Sequence, residues 1–339
     1  MSLLYIGCDI SQASFTSSGW VGQAAQELGQ YTNEPDGFAA CIAAVNAMQQ
    51  EGGYDIVHVV LEATGGYELP LLVACQRQGW QFSLPNPKQV RDWAKGRGYR
   101  VKHDRIDGRI LAHYGSACQP KAQEPVSAVI EELDSLLQRQ ADIEKSLRQE
   151  KNRAHALTYR PQAAAAVVSD VAATIVYLEA ALQRLGSAIA ALLAANPELQ
   201  AQKARLLTVA GVGAKTVLPL LVYCHRYHAR TAGQGTAKGF TAFAGLDSQE
   251  FSSGHSVRKR PTISKMGSKT MRAKLYLAAL GGTRSKNSPL RHFYLRLLGR
   301  NKSRKLALVA ASRKILVWSW AVFQQGVDFD PSRFPIPAN

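Results

Sequence analysis

The sequence predicts an α/β domain followed by an all-α remainder, and three observations carry that expectation. Short apolar runs alternate with helical patterns from Leu3 to Tyr114. Apolar residues then recur at helical spacing from Val126 to Leu192. Beyond Leu206 the helical segments become strongly basic. The expected domains are 1–118, an α/β domain; 119–200, central coiled-coil helices that dimerise; and 201–339, a mostly helical basic domain.

In the first domain, Leu3 to Asp9 is a short apolar run closed by an acid. Ser14 to Trp20 and Ala24 to Thr32 read as strands of a meander, and Phe38 to Met48 as a helix. Ile56 to Leu61 is nearly continuous in apolar residues, as expected of a strand buried on both faces. A Thr64-Gly65-Gly66 turn, a helix over Tyr67 to Gln78 and a strand over Trp80 to Leu84 follow, closed by Pro85-Asn86-Pro87. A basic stretch comes next, with Lys88, Arg91, Lys95, Arg97, Arg100 and Lys102 as candidate nucleic-acid contacts. Asp104 to Tyr114 reads as a helix.

In the middle, Val171, Ile175, Leu178, Leu182, Leu185, Ile189 and Leu192 step by four and three, an a/d seam. Ser169-Asp170 is the expected cap and Asn196-Pro197 the expected stop. Such a seam serves a dimerising coiled coil or a helical hairpin within one chain. Further on, Val209 to Lys215 holds Gly211 and Gly213 between two apolar segments, like a helix-hairpin-helix turn that presents backbone N–H groups to a phosphate. Helices are expected near Ala237 to Ala244, Met271 to Leu280, Pro289 to Leu298 and Leu306 to Phe323, with an irregular tail from Phe329.

The 339 residues carry a formal charge of +16, which calls for an anionic partner, most commonly nucleic acid. The distribution sharpens this: Phe251 to Val327 contains no Asp or Glu, and Arg258 to Lys314 holds 17 Lys and Arg. A merely solvated surface mixes both signs. No stretch reaches the ~18 uncharged apolar residues of a membrane span. The N-terminus lacks a basic region, so neither a signal peptide nor a membrane location is expected. The five cysteines are scattered without a CxxC pair, which argues against structural zinc and disulfides and fits a reducing cytoplasm.

Four acids stand out by position. Asp9 and Glu62 close two apolar strands, and Asp104 and Asp107 lie three apart on a helix. Clustered carboxylates repel unless cations lie between them. Mg²⁺ (or Mn²⁺) takes oxygen ligands, and two such ions stabilise the attacking and leaving oxygens of a phosphoryl transfer.

These residues resemble a known family. Ile6-Gly7-Cys8-Asp9, Leu61-Glu62-Ala63-Thr64-Gly65-Gly66-Tyr67, Asn86-Pro87 and Lys102-His103-Asp104-Arg105-Ile106-Asp107-Gly108-Arg109 resemble the DEDD transposases of the insertion sequence 110 family. So do Leu206 to Gly213, Phe240 to Leu246, Phe251 to Arg258 and Ile263 to Gly267, in the family's order. The resemblance implies a RuvC-like, ribonuclease-H-type N-terminal domain whose acids, here Asp9, Glu62, Asp104 and Asp107, bind Mg²⁺. It also implies a C-terminal serine that links covalently to DNA, matched by Ser253, with Ser252 and Ser256 as neighbouring alternatives. A bridge RNA pairing with donor and target DNA, and a homodimer assembling to a homotetramer, are further implications. Two residues depart from the pattern: His103 stands for the usual Thr and Gly108 for the usual Ala.

Arg258, Lys259, Arg260 and Lys265, extended by Lys269 and Arg272, are the cations expected to meet DNA around the serine. The resulting expectation is a transposase and site-specific recombinase acting on double-stranded DNA through a phosphoserine. One rival is a Holliday-junction-resolvase-like nuclease, with the same acids and water as nucleophile. Another is a non-enzymatic binding protein that needs neither metal nor serine.

Overall fold

The computed structural model describes residues 1–63, 65–99, 104–253 and 257–333, and of 104–107, 250–253, 257–261 and 333 it describes the backbone. Arg100, Lys102 and Ser256 lie outside the described residues, as does the expected turn at Thr64. The chain forms two compact units, Met1–Pro125 with Ala229–Gln234, and Val126–His228 with Gly235–Asn339.

The first unit is built on β1 (Leu3–Ile10), β2 (Ser14–Val21), β3 (Ala24–Thr32), β4 (Ile56–Leu61) and β5 (Gln81–Ser83), in the spatial order β3-β2-β1-β4-β5. β1, β2 and β3 pair antiparallel, whereas β4 pairs parallel with both β1 and β5. Alternation within β1 sends Leu4, Ile6 and Cys8 to one face, where α1 (Pro35–Gly52) and α2 (Leu69–Arg77) bury them. Tyr5 lies on the opposite face with Val60, packed by α3 (Pro87–Gly96) and α4 (Asp104–Cys118). This mixed α/β sandwich agrees with the ribonuclease-H-type expectation. The cysteines are less scattered than their numbering suggests: Cys8, Cys41 and Cys75 share one core, and burial pushes the thiols of Cys41 and Cys75 up to about 11 and about 12.

The second unit begins with α5 (Ala128–Leu157) and α6 (Ala165–Ala195). They pack antiparallel: Ile130 and Leu133 share a core with Ile189 and Leu193, and Lys151 Nζ lies 2.7 Å from Glu179. The a/d seam is therefore used inside the chain, because the short link at 158–164 returns α6 along α5. Helix α6 starts at Ala165, a turn earlier than its expected cap, so Ser169 and Asp170 lie on its exposed surface. Then come α7 (Pro197–Leu207), α8 (Ala214–Arg230), α9 (Ala237–Phe243), the antiparallel pair β6 (Ser248–Ser253) and β7 (Val257–Ile263), α10 (Lys269–Gly282), α11 (Pro289–Gly299) and α12 (Arg304–Gln325). Buried Trp320 of α12 stacks among Tyr227, Phe240 and Phe323 at the centre of this core. Among the described residues two helices, α6 and α12, are long and apolar enough to cross a membrane by length and composition alone. Helix α12 is a core helix, and α6 carries Asp170, Glu179 and Arg184.

Candidate active site

Parallel pairing places the first two acids. β1 and β4 run in register from Leu3 beside Ile56 to Cys8 beside Leu61, and Asp9 and Glu62 are the residues that follow this last pair, at the carboxyl ends of adjacent strands. Partners in parallel strands share a face, and period-two alternation puts Asp9 on the face of Tyr5 and Gly7. That face carries α3 and α4.

Glycine brings α4 down onto β1. A Cβ on Gly7 would fall 2.1 Å from the Gly108 carbonyl and 2.3 Å from the Ala112 nitrogen, so no side chain fits between strand and helix. A Cβ on Gly115 would fall 2.7 Å from the Tyr5 ring. The helix thus runs antiparallel to β1, with Gly115 at Tyr5 and Gly108 at Gly7. Its first turn, with Asp104 and Asp107, belongs at the level of Asp9. The backbone places these two residues at the helix start; their side chains lie outside the described residues. Among the described residues no three His, Cys, Asp or Glu side chains form a metal-binding group.

Supports that single-sequence patterns do not advertise hold this helix. The His113 ring stacks on Trp20 at 4.0 Å and 2°, and meets Trp93 edge-on at 4.9 Å. Its Nδ1 shares a 2.8 Å hydrogen bond with Tyr99 Oη. Burial, then the Arg97 charge, lowers the His113 pKa, which favours the neutral ring. Arg109 Nη2 donates to Glu27 of β3 at 2.6 Å, a second tie across the sheet. The start of the basic stretch, with Lys88, Arg91 and Lys95, lies on a helix, α3, in which Asn86 caps the Lys88 nitrogen at 2.9 Å and Pro87 takes the first position. On it, Lys88 pairs with Asp92, and Arg91 Nη2 donates to Glu62 Oε1 at 2.9 Å. Lys95 and Arg97 are exposed, with Arg97 over the Trp93 ring at 5.8 Å.

The serine motif forms a hairpin inside a unit expected to be mostly helical. Ser253 ends β6 opposite Val257, and Ser252 pairs with Arg258 and Phe251 with Lys259; Arg260 follows in β7. A few polar bonds hold the base of the hairpin. Ser264 Oγ donates to Asp247, the Ser264 nitrogen donates to the Asp247 carbonyl at 3.0 Å, and the Lys265 nitrogen to the Gly245 carbonyl at 3.1 Å. A Cβ on Gly267 would fall 2.0 Å from the Phe243 carbonyl. Lys265 itself takes a left-handed φ of 58° in this turn. Arg272, expected to contact DNA, donates from Nη1 to the carbonyls of Ala244 (3.1 Å) and Gly267 (2.7 Å) and so braces the base of the hairpin.

The remaining expected contacts divide. Gly211 has φ +95°, and a Cβ there would fall 2.9 Å from Ile315, so close packing explains this glycine. Gly213 is open and exposed beside Lys215 at the start of α8. Lys269 is exposed at the start of α10. Arg300, Lys302, Arg304 and Lys305 crowd the exposed corner between α11 and α12, and among the described residues none of them is ion-paired. The charge run in the sequence signals this corner, although no motif marks it.

Acids at the ends of adjacent strands of a mixed sheet, in a chain whose second unit is strongly basic, suit an enzyme that acts on DNA. The chain belongs to the IS110 family of transposases. Residues 6–158 match its DEDD transposase domain, and residues 203–295 match the domain described as "Transposase IS116/IS110/IS902 family". The pilin gene-inverting proteins of Moraxella lacunata and Moraxella bovis are each 28% identical to it over 334 residues, covering 97% of this chain and 98% of theirs.

Proposed function

We propose that this transposase cuts DNA through a metal-binding acidic site and a serine nucleophile. The placement of Asp9 and Glu62 directly after the last in-register pair of β1 and β4, with the start of α4 held close by Gly7 and Gly108, is the observation that supports it best. The donor set fits a hard cation: Asp9, Glu62, Asp104 and Asp107 offer carboxylate oxygens, and Glu62 already holds a guanidinium. Asp9, Glu62, Asp104 and Asp107 would hold Mg²⁺ or Mn²⁺. Such an ion neutralises charge on the scissile phosphate and stabilises the attacking and leaving oxygens.

In this reading Ser253 Oγ gives up its proton and bonds to phosphorus. The sugar oxygen leaves, takes up a proton and becomes a free hydroxyl end. The phosphoserine conserves the bond energy, so religation to a new hydroxyl needs no ATP. The hairpin cations Arg258, Lys259 and Arg260, with Lys265 and Lys269, offset charge on the phosphate and grip the duplex. Lys88, Lys95 and Arg97 would track the nucleic-acid backbone on the first unit, with Gly213 at the start of α8. Inversion is what the names of the Moraxella relatives describe, and the same cut-and-join chemistry on two sites in one DNA would perform it here.

We further propose a bridge RNA as guide and a homodimer that assembles to a homotetramer in the cytoplasm. Helix α6 supports self-association: Val168, Val176 and Tyr177 remain exposed on the side that α5 leaves bare. Covalent trapping tests the chemistry. Protein, Mg²⁺ and element-end DNA, with and without RNA transcribed from the element's flank, are resolved on a denaturing gel. A DNA–protein adduct lost in both Ser253→Ala and Asp9→Asn is the expected result. Cleavage without an adduct, unchanged in Ser253→Ala, would leave a hydrolytic nuclease of the resolvase type.

A further inference from the structure

Arg91 occupies a position that the reaction scheme above leaves unexplained. Val90 and Ala94 bury the inner face of α3 against Val60 and Ile110, and the next residue after Val90 thereby lies beside the end of β4. From there the Arg91 guanidinium reaches Glu62 Oε1 at 2.9 Å. The two partners differ in exposure: Glu62 is 18% exposed and Arg91 57%. A glutamate that is largely withdrawn from water, one strand away from Asp9, carries a charge that needs a counter-ion. The neighbouring Lys88 cannot supply it in this arrangement, being paired with Asp92 at 2.6 Å.

A guanidinium stays charged at any pH the protein meets, so it cannot step aside by losing a proton. A divalent ion that takes Oε1 of Glu62 must compete with it. Arg91 is exposed enough to swing away, and the group that offers it a matched bidentate partner near a metal-bound strand is a phosphate.

We propose that Arg91 is an exchange cation. It neutralises Glu62 while the acidic site is unloaded, yields that oxygen when a divalent ion binds, and then takes a phosphate oxygen of the bound nucleic acid. Metal loading and nucleic-acid binding become linked through one side chain, and the linkage is reciprocal. This inference rests on the metal-binding reading of Glu62, and Arg91 acts in it as a positioning residue.

Two measurements on the full chain test it, with Mn²⁺ as probe. Electron paramagnetic resonance of free Mn²⁺ gives the ion's affinity in the absence of DNA. Arg91→Ala removes the competitor and should bind Mn²⁺ about two- to fivefold tighter than wild type, the range an exposed ion pair spans. Arg91→Lys, which keeps the charge, should stay nearer wild type. Fluorescence anisotropy with a random-sequence duplex at constant ionic strength gives the second half. The Kd ratio of Arg91→Ala to wild type should exceed about threefold with saturating Mn²⁺ and lie near one without it, since one phosphate contact is lost only in the loaded state. If Arg91→Ala binds Mn²⁺ no tighter than wild type, or if the Kd ratio is the same with and without Mn²⁺, the exchange is refuted. Asp9→Asn separates the two failures. If Asp9→Asn abolishes Mn²⁺ binding while Arg91→Ala leaves it unchanged, the metal site stands without the exchange; Mn²⁺ binding that survives Asp9→Asn overturns both.

Discussion

Asp9 and Glu62 stand at the ends of strands buried on both faces, whereas Ser253 stands at the end of a two-stranded hairpin whose base is held by a few polar bonds. The first placement follows from main-chain register: six consecutive pairs from Leu3–Ile56 to Cys8–Leu61 determine where the acids lie. The second follows from individual groups, chiefly Arg272 and the Ser264–Asp247 contact. A sheet interior resists a one-residue slip, because the slip would turn every buried side chain to the wrong face. A hairpin base can loosen by the loss of one guanidinium. The acidic half should therefore behave as a rigid mount and the serine half as an adjustable one.

The comparison meets its largest test in the acids themselves. Asp9→Asn and Glu62→Gln should each reduce DNA cleavage by at least about a hundredfold, as removal of a group that stabilises transition-state charge does. Neither should lower the melting temperature by more than a few degrees; Glu62→Gln gives up the partly exposed pair with Arg91, worth about 0.2–1 kcal/mol. Cleavage assays paired with thermal melts of the same preparations check this. A variant that loses activity by unfolding would mean that the acids hold the sheet together rather than serve it.

Helix α4 gives the next largest effect. Gly7→Val forces a side chain into a 2.1 Å approach and should cost about 1–3 kcal/mol, as overpacking does, with loss of Mn²⁺ binding. Gly108→Ala is a sharper control. Its Cβ would meet Thr16 Oγ1 at 3.2 Å, a contact that yields by a small shift, so melting temperature and Mn²⁺ binding should stay near wild type. The same spacing fits one of the two departures from the insertion sequence 110 pattern: a Cβ at position 108 needs only a small shift, while one at position 7 meets backbone at 2.1 Å. Equal effects from the two variants would break the claim that register and close approach, rather than helix composition, place the acids.

In the serine half, Arg272→Met removes two hydrogen bonds from a charged donor and should cost about 1–3 kcal/mol. Limited proteolysis should then cut first in the hairpin, with Mn²⁺ affinity unchanged. Reduced Mn²⁺ affinity would contradict the separation of the two mounts.

What the sequence made legible follows the same division. The strand ends at Asp9 and Glu62 were readable because apolar runs that stop at an acid need no distant information. The a/d seam of α6 was readable as a seam, but its partner was not: periodicity names a buried stripe without saying which helix covers it, and here α5 of the same chain does. The β6–β7 hairpin was missed because Ser252-Ser253-Gly254 reads as a turn and the flanking residues are basic and lack clear alternation. Arg272 looked like one more cation in a basic run; only the folded position of the Ala244 and Gly267 carbonyls reveals its structural duty. That Glu62 could pair with a nearby arginine was legible as an alternative, but that the partner is Arg91 was not, because the pairing depends on α3 bringing it to the end of β4.

The smallest effect is a pH dependence. In the second unit, burial first and the neighbouring His228 second push His225 down to about 4, from an ordinary 6.5. Its Nε2 shares a 2.7 Å hydrogen bond with Gln202, and the ring meets Phe323 edge-on at 4.9 Å. Between about 6.5 and about 4 the unfolded chain binds a proton at this residue that the native unit refuses. Stability from His225 is therefore complete above about 6.5 and is lost as the pH falls through that window. Thermal melts at pH 7 and pH 5 should show a fall of a few degrees in wild type, at roughly 2–4 °C per kcal/mol for a unit of this size. His225→Gln should show a smaller fall, because glutamine has no proton to gain. His58 in the first unit is also lowered by burial and contributes with the same sign, so some dependence should persist in that variant. An unchanged fall in His225→Gln would assign the acid sensitivity to the sheet unit and reverse the expectation that the serine-bearing unit yields first.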